Sequence, residues 1–147
     1  FDPNYDFSGI PDGFCLRMTI DRYPVYYGDG KMCSVGVVPE LYFSGFPSAS
    51  RGPYQIFIES YMPGEVGYLF HGSSAANHPF AGASLLVGFP IQRGPLVHMD
   101  FIGGGTTTWD IMPAMIGQTW YFQSWFVDPG DSFGVGLTGG LELTWYP

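Results

Sequence analysis

Strict period-two alternation, repeated along the chain and interrupted by turn-forming residues, constrains this sequence more than any other feature. In residues 14–21, Phe14, Leu16, Met18 and Ile20 alternate with Cys15, Arg17, Thr19 and Asp21. An extended strand sends successive side chains to opposite faces, so such a run reads as one apolar and one polar face. Similar runs occur at 34–38, 40–44, 54–61, 66–71, 83–87, 96–102, 107–111, 119–127 and 141–146. Between them stand Gly28-Asp29-Gly30, Ser44-Gly45-Phe46-Pro47, Met62-Pro63-Gly64, Gly103-Gly104-Gly105 and Asp128-Pro129-Gly130, whose residues favour turns. The spacing predicts an all-β fold, a two-sheet antiparallel β-sandwich of about eight to ten strands. The single helical expectation is a turn at residues 112–116, kept short by Pro113.

Composition matters here because 22 Gly and 13 Pro in 147 residues approach the range of disordered chains. Thirteen Phe, ten Tyr and four Trp argue the other way, since each aromatic buries roughly 150–250 Å² when packed. Thirteen acidic residues face only Lys31 and four Arg: Arg17, Arg22, Arg51 and Arg93. Phosphate recognition needs clustered cations, so nucleic acid is not an expected partner, nor is an anionic membrane. No apolar run approaches the ~20 residues of a membrane-spanning helix. A chain that starts at Phe1 reads as a processed, secreted product. Cys15 and Cys33 fit a single disulfide in an oxidising compartment, closing a loop of about 18 residues worth roughly 3 kcal/mol. No cofactor is expected.

Catalytic groupings are sparse. His71-Gly72-Ser73-Ser74 lacks the G-x-S-x-G context of a nucleophile elbow. His98 and Asp100 share the parity of one strand face and read as a hydrogen-bonded surface pair. A glycosidase needs two carboxylates across a cleft; Glu40, Glu59, Glu65 and Glu142 each sit in a strand or turn where solvation accounts for them. Asp128 and Asp131 form a weak candidate for Ca²⁺, set against their ordinary use in turns. The expectation is a protein that is not an enzyme.

The most specific words lie near the C-terminus. Gly117-Gln118-Thr119-Trp120-Tyr121-Phe122-Gln123-Ser124-Trp125-Phe126-Val127-Asp128 is followed by Leu141-Glu142-Leu143-Thr144-Trp145. With Val66-Gly67-Tyr68-Leu69-Phe70-His71-Gly72 and Leu86-Val87-Gly88-Phe89-Pro90-Ile91-Gln92-Arg93, this resembles a family of secreted bacterial β-domains. Their signature is G-x-T-W-x-F-Q-x-W-[FY]-x-D, then L-x-[VL]-T. The resemblance spans roughly residues 40–146 and implies export and a β-sandwich, with no catalytic residues. It departs where such domains often have a Cys, since this chain has Leu86-Val87 there.

By parity, Trp120, Phe122 and Phe126 share one face of their strand, and Tyr121, Gln123, Trp125 and Val127 the other. Large groups on both faces, with Trp145 nearby, suit a strand in the core or in an interface. The first 13 residues form a separate extended arm and hinge before the sandwich at 14–147. Phe1, Pro3, Tyr5 and Phe7 lie on one face of the arm. Such a segment either pairs with its own sheet or completes a neighbour's by strand addition. A head-to-tail exchange does not close and builds a filament. The leading expectation is therefore a self-assembling, pilus-like extracellular subunit at the cell surface, with copies of itself as partner. The alternative is a secreted carbohydrate-binding or adhesive module with glycan partners.

Overall fold

A computed structural model of the chain describes residues 22–147. The arm (Phe1, Pro3, Tyr5 and Phe7), the expected strand at 14–21 and Cys15 lie outside the described residues. The described chain is all-β, with strands β1 (Val25–Tyr27), β2 (Glu40–Phe43), β3 (Tyr54–Glu59), β4 (Val66–Gly72), β5 (Ala75–Phe80), β6 (Ala83–Val87), β7 (Gln92–His98), β8 (Gly104–Trp109), β9 (Thr119–Val127), β10 (Val135–Leu137) and β11 (Gly140–Thr144). Two single 3-10 turns, Ala49–Arg51 and Pro113–Met115, join them, the second where Pro113 limits helical propagation.

One antiparallel sheet runs β1-β11-β9-β4-β7, with β10 also paired to β9. A second runs β2-β3-β8, and β5 and β6 pair as a separate two-stranded hairpin sheet. Strands β10 and β11 follow one another along the same side of β9. Leu137 pairs with Trp125 and Leu141 with Phe122, so one extra residue is accommodated between them. Thr138 fills the irregularity: its backbone N donates to Ser124 O at 3.1 Å, and its Oγ1 accepts from Ser124 N at 2.9 Å.

The inner faces of the two sheets bury one core. Leu41, Tyr54, Ile56 and Ile58 from the smaller sheet meet Leu69, Val97, Phe122, Phe126, Leu141, Leu143 and Trp145. Phe126 is wholly buried, and its cross-strand partners on either side, Gly67 and Gly136, are both glycines. A Cβ at Gly136 would come within 2.2 Å of the Phe126 ring, so the ring lies directly over the bare backbone. Trp145 sits among Tyr54, Trp120 and Phe122 in edge-to-face geometry, with centroids 5.5–6.3 Å away.

Several sequence expectations are corrected. Residues 34–38 are not a strand: Cys33 N donates to Val37 O and Gly36 N to Cys33 O, closing a local turn with Gly36 at φ 82°. Strand β5, Ala-Ala-Asn-His-Pro-Phe, has no alternation and exists through its pairing with β6. The expected strand at 96–102 begins earlier and stops at His98, because Asp100 turns the chain. Of Gly103-Gly104-Gly105 only Gly103 turns, with φ 87°, while Gly104 and Gly105 open β8. The expected Cys15–Cys33 bridge is not found. Cys33 is a buried free thiol whose Sγ donates to Val37 O at 2.9 Å.

Candidate docking groove on the outer sheet face

Among the described residues the outer face of the larger sheet is only partly covered, and the β5–β6 hairpin decides which part. Gln123, fully buried, holds the hairpin down. Its Oε1 accepts from Leu86 N at 2.9 Å, while Nε2 donates to Ser84 O at 3.1 Å and Thr138 O at 2.9 Å. The Tyr27 hydroxyl donates to Leu86 O at 2.8 Å, so both backbone groups of Leu86 are satisfied by side chains of the sheet below. Burial pushes the Tyr27 hydroxyl pKa well above its usual value, with smaller contributions from Tyr121 and Glu142. That hydroxyl therefore stays a donor.

Beyond the hairpin, towards β7, the face is open. Tyr68, Phe70, Phe80, Leu85, Phe89, Ile91, Arg93 and Trp125 line a groove of about 450 Å³. Tyr68 and Trp125 are direct cross-strand partners with rings 5.9 Å apart, and the Arg93 guanidinium lies 4.5 Å over the Tyr68 ring. Phe89 is 72% exposed at the rim, Phe80 in the same lining is also exposed, and so is Leu96, the cross-strand partner of Tyr68. Strand β7 pairs with β4 on one side only among the described residues, and Pro95 within it suits an edge position.

The five aromatic positions singled out from the sequence divide between the two faces. Phe122, Phe126 and Trp145 are core, and Trp120 is half-buried against it. Trp125 is the one that lines the groove. The sequence identified Trp125 but not Phe80, Phe89 or Ile91, which come from the hairpin and its exit and carry no signal of their own.

The remaining candidates have other partners. His71 is buried, stacked 4.3 Å from Trp120 with rings 4° from parallel, and edge-on to Trp109. Desolvation lowers its pKa, keeping a neutral imidazole in an aromatic setting. Ser73 and Ser74 lie exposed past the end of β4, where Ser74 O accepts from Gly88 N. Asp100 builds a turn, accepting at Oδ1 from Ile102 N and Gly104 N, both at 2.9 Å. These bonds, from Gly104 first, hold its carboxyl below the usual range.

Both carboxylates of the Ca²⁺ candidate are taken by protein donors. Asp128 accepts from Ser34 N at 2.7 Å and from Ser34 Oγ and Gly130 N. Asp131 pairs with Lys31, which lowers its pKa, and also accepts from Phe133 N at 2.8 Å. They serve as loop anchors, and no group of three or more metal-ligating side chains occurs among the described residues. Glu40 and Glu59 lie directly opposite each other across β2 and β3, with the Tyr42 hydroxyl donating to Glu40. That bond raises the Tyr42 pKa. No helix among the described residues is long and apolar enough to cross a membrane.

Searches against family models, curated proteins and solved structures found no match to this chain.

Proposed function

We propose that this protein is an extracellular structural subunit, without enzymatic activity, that assembles with copies of itself, and that the groove is the acceptor surface between copies. The open groove beside edge strand β7 carries this reading. Its lining is aromatic and aliphatic, with Arg93 as the only charged side chain. Contiguous exposed apolar surface of this kind marks association in soluble proteins. A sugar ring also stacks on aromatics, but its hydroxyls need hydrogen-bond partners, and burying them unpaired is costly. The lining favours apolar protein side chains over glycan. The amphipathic N-terminal segment with Phe1, Pro3, Tyr5 and Phe7 is one donor this reading allows. Export rests on the resemblance of the Trp120–Asp128 stretch to secreted domains.

The sole lysine adds support. Exposed strand edges are commonly guarded against pairing by Lys. Lys31 is instead committed to Asp131 and Val135 O, and lies 5.0 Å from the centre of the Phe133 ring.

Light scattering of the purified chain, with electron microscopy of concentrated material, tests the proposal. Wild type should form oligomers or filaments, and Trp125→Arg should remain monomeric. A wild-type chain that stays monomeric at high concentration, or a Trp125→Arg variant that assembles normally, sinks it.

A further inference from the structure

The turn between β7 and β8 presents two large apolar side chains to water. Phe101 is 88% exposed and Ile102 is 63% exposed. The backbone beneath them is held tightly. Asp100 N donates to Gly104 O at 2.8 Å, Gly103 N to Asp100 O at 3.1 Å, and the Asp100 carboxylate takes two further amides. Gly103 O accepts from both Ser60 N and Ser60 Oγ at 2.8 Å, tying the turn to the end of β3. A Cβ at Gly103 would fall 2.6 Å from Met62 N and 2.7 Å from Tyr61 Cα, so the turn is packed directly on backbone. A turn fixed in this way projects Phe101 and Ile102 at little further entropic cost on binding, which is the condition for an efficient anchor.

We infer that Phe101 and Ile102 of one copy seat in the Tyr68–Phe80–Phe89–Trp125 groove of the next. This rests on the reading of the groove as an acceptor between copies and names the element that enters it. Three features match. The projection is apolar at its tip, and apart from Arg93 the groove is lined by aromatic and aliphatic side chains. The groove's one charge is the cation Arg93, and the charge flanking Phe101 is the anion Asp100. Both side-chain bonds of Asp100 fall on Oδ1, leaving Oδ2 to meet a guanidinium.

Geometry then makes the contact intermolecular. Arg93 is near the start of β7, and Asp100 lies past its end. At about 3.3 Å per strand residue they are roughly 20 Å apart, so the turn does not fill its own groove. Two different patches on one chain meet either head-to-tail, giving rings or filaments, or reciprocally across a two-fold axis, giving a dimer with two such contacts.

The experiment uses the full chain and two surface variants. Phe101→Asp with Ile102→Asp removes the projection and keeps the groove. Trp125→Arg blocks the groove and keeps the projection, and Phe89→Asp does the same at an already exposed rim position should Trp125→Arg lose its fold. Each variant alone should associate at least about tenfold more weakly than wild type. An equimolar mixture of a projection variant and a groove variant should form a one-to-one dimer and nothing larger by light scattering, because only one productive contact remains. A mixture that stays monomeric, or normal assembly by Phe101→Asp/Ile102→Asp, overturns the inference. If the groove variants are monomeric and deletion of residues 1–13 alone abolishes assembly, the N-terminal segment is the donor and the acceptor reading stands. If the groove variants assemble as wild type does, the acceptor reading itself falls.

Discussion

The two faces of β9 carry nearly the same weight of aromatic residues and meet opposite fates. On the inner face Phe122 and Phe126 are wholly buried, and the tip of the Phe126 ring fills the space a Cβ at Gly136 would need. On the outer face Gln123 is as deeply buried as any core residue, yet Trp125, two positions on, borders an open groove. The difference lies in what covers each face. A second sheet seals the inside, whereas a two-stranded hairpin, clipped by Gln123 and Tyr27, covers only part of the outside among the described residues. Apolar side chains alone therefore do not distinguish a core from a docking surface. The cover does.

The largest effect that sharpens this contrast is expected at Phe122. Phe122→Ala should cost about 3–5 kcal/mol in urea or guanidinium unfolding, since the surrounding sheets cannot collapse into the space. A cost below about 1 kcal/mol would mean that the inner face is not the close-packed one. Next comes Gln123→Ala, which leaves Leu86 N, Ser84 O and Thr138 O without their partner. A loss of about 1–3 kcal/mol follows from unsatisfied buried groups. Amide exchange should rise in β5 and β6 before it rises in β9. Uniform loosening of the whole sheet would show that the hairpin is not a separately clipped cover.

A third, smaller effect depends on pH. The unfolded chain protonates His71 near pH ~6.5, whereas the folded chain, with its lowered pKa, resists until lower pH. The unfolded state then binds more protons, so stability is full above that pH and declines as the pH falls below it. His71→Phe should flatten this part of the curve, measured as the urea midpoint between pH 7.5 and pH 5. An unchanged slope would place the acid sensitivity elsewhere. The smallest effect is expected at Phe89→Ala. This phenylalanine is 72% exposed, so stability should shift by no more than about 0.5 kcal/mol. The same change should weaken self-association. A variant as destabilised as Phe122→Ala would turn the groove rim into core and end the comparison.

Much of the inner face was legible from alternation. Tyr54, Ile56 and Ile58, like Leu141 and Leu143, point inward as their parity predicts, and 119–127 matches β9 residue for residue. The errors fall where a local signal competes with tertiary pairing. Val35, Val37 and Val38 imitate a strand but end exposed, where the chain closes a local turn in which Cys33 N donates to Val37 O. Ala75–Phe80 has a poor strand sequence, with Pro79 inside it, and still pairs with β6. The Asp128 and Asp131 pattern suggested oxygen ligands, yet their partners are Ser34 and Lys31, about a hundred residues away in the chain.

The groove was legible in part. Trp125 was singled out as a residue of core or interface, and its parity set it opposite Phe122. Its companions Phe80, Phe89 and Ile91 arrive from a hairpin whose position depends on Gln123 and Tyr27 reaching Leu86.

By itself the sequence determined the β class, the inward parity of the long strands and the surplus of aromatic surface, because those follow from a period of two and from composition. Only the tertiary structure decided which aromatic face is closed and which stays open. Coverage of a sheet face is a long-range property, set here by where one hairpin lands and by the Gln123 amide and Tyr27 hydroxyl that hold it there.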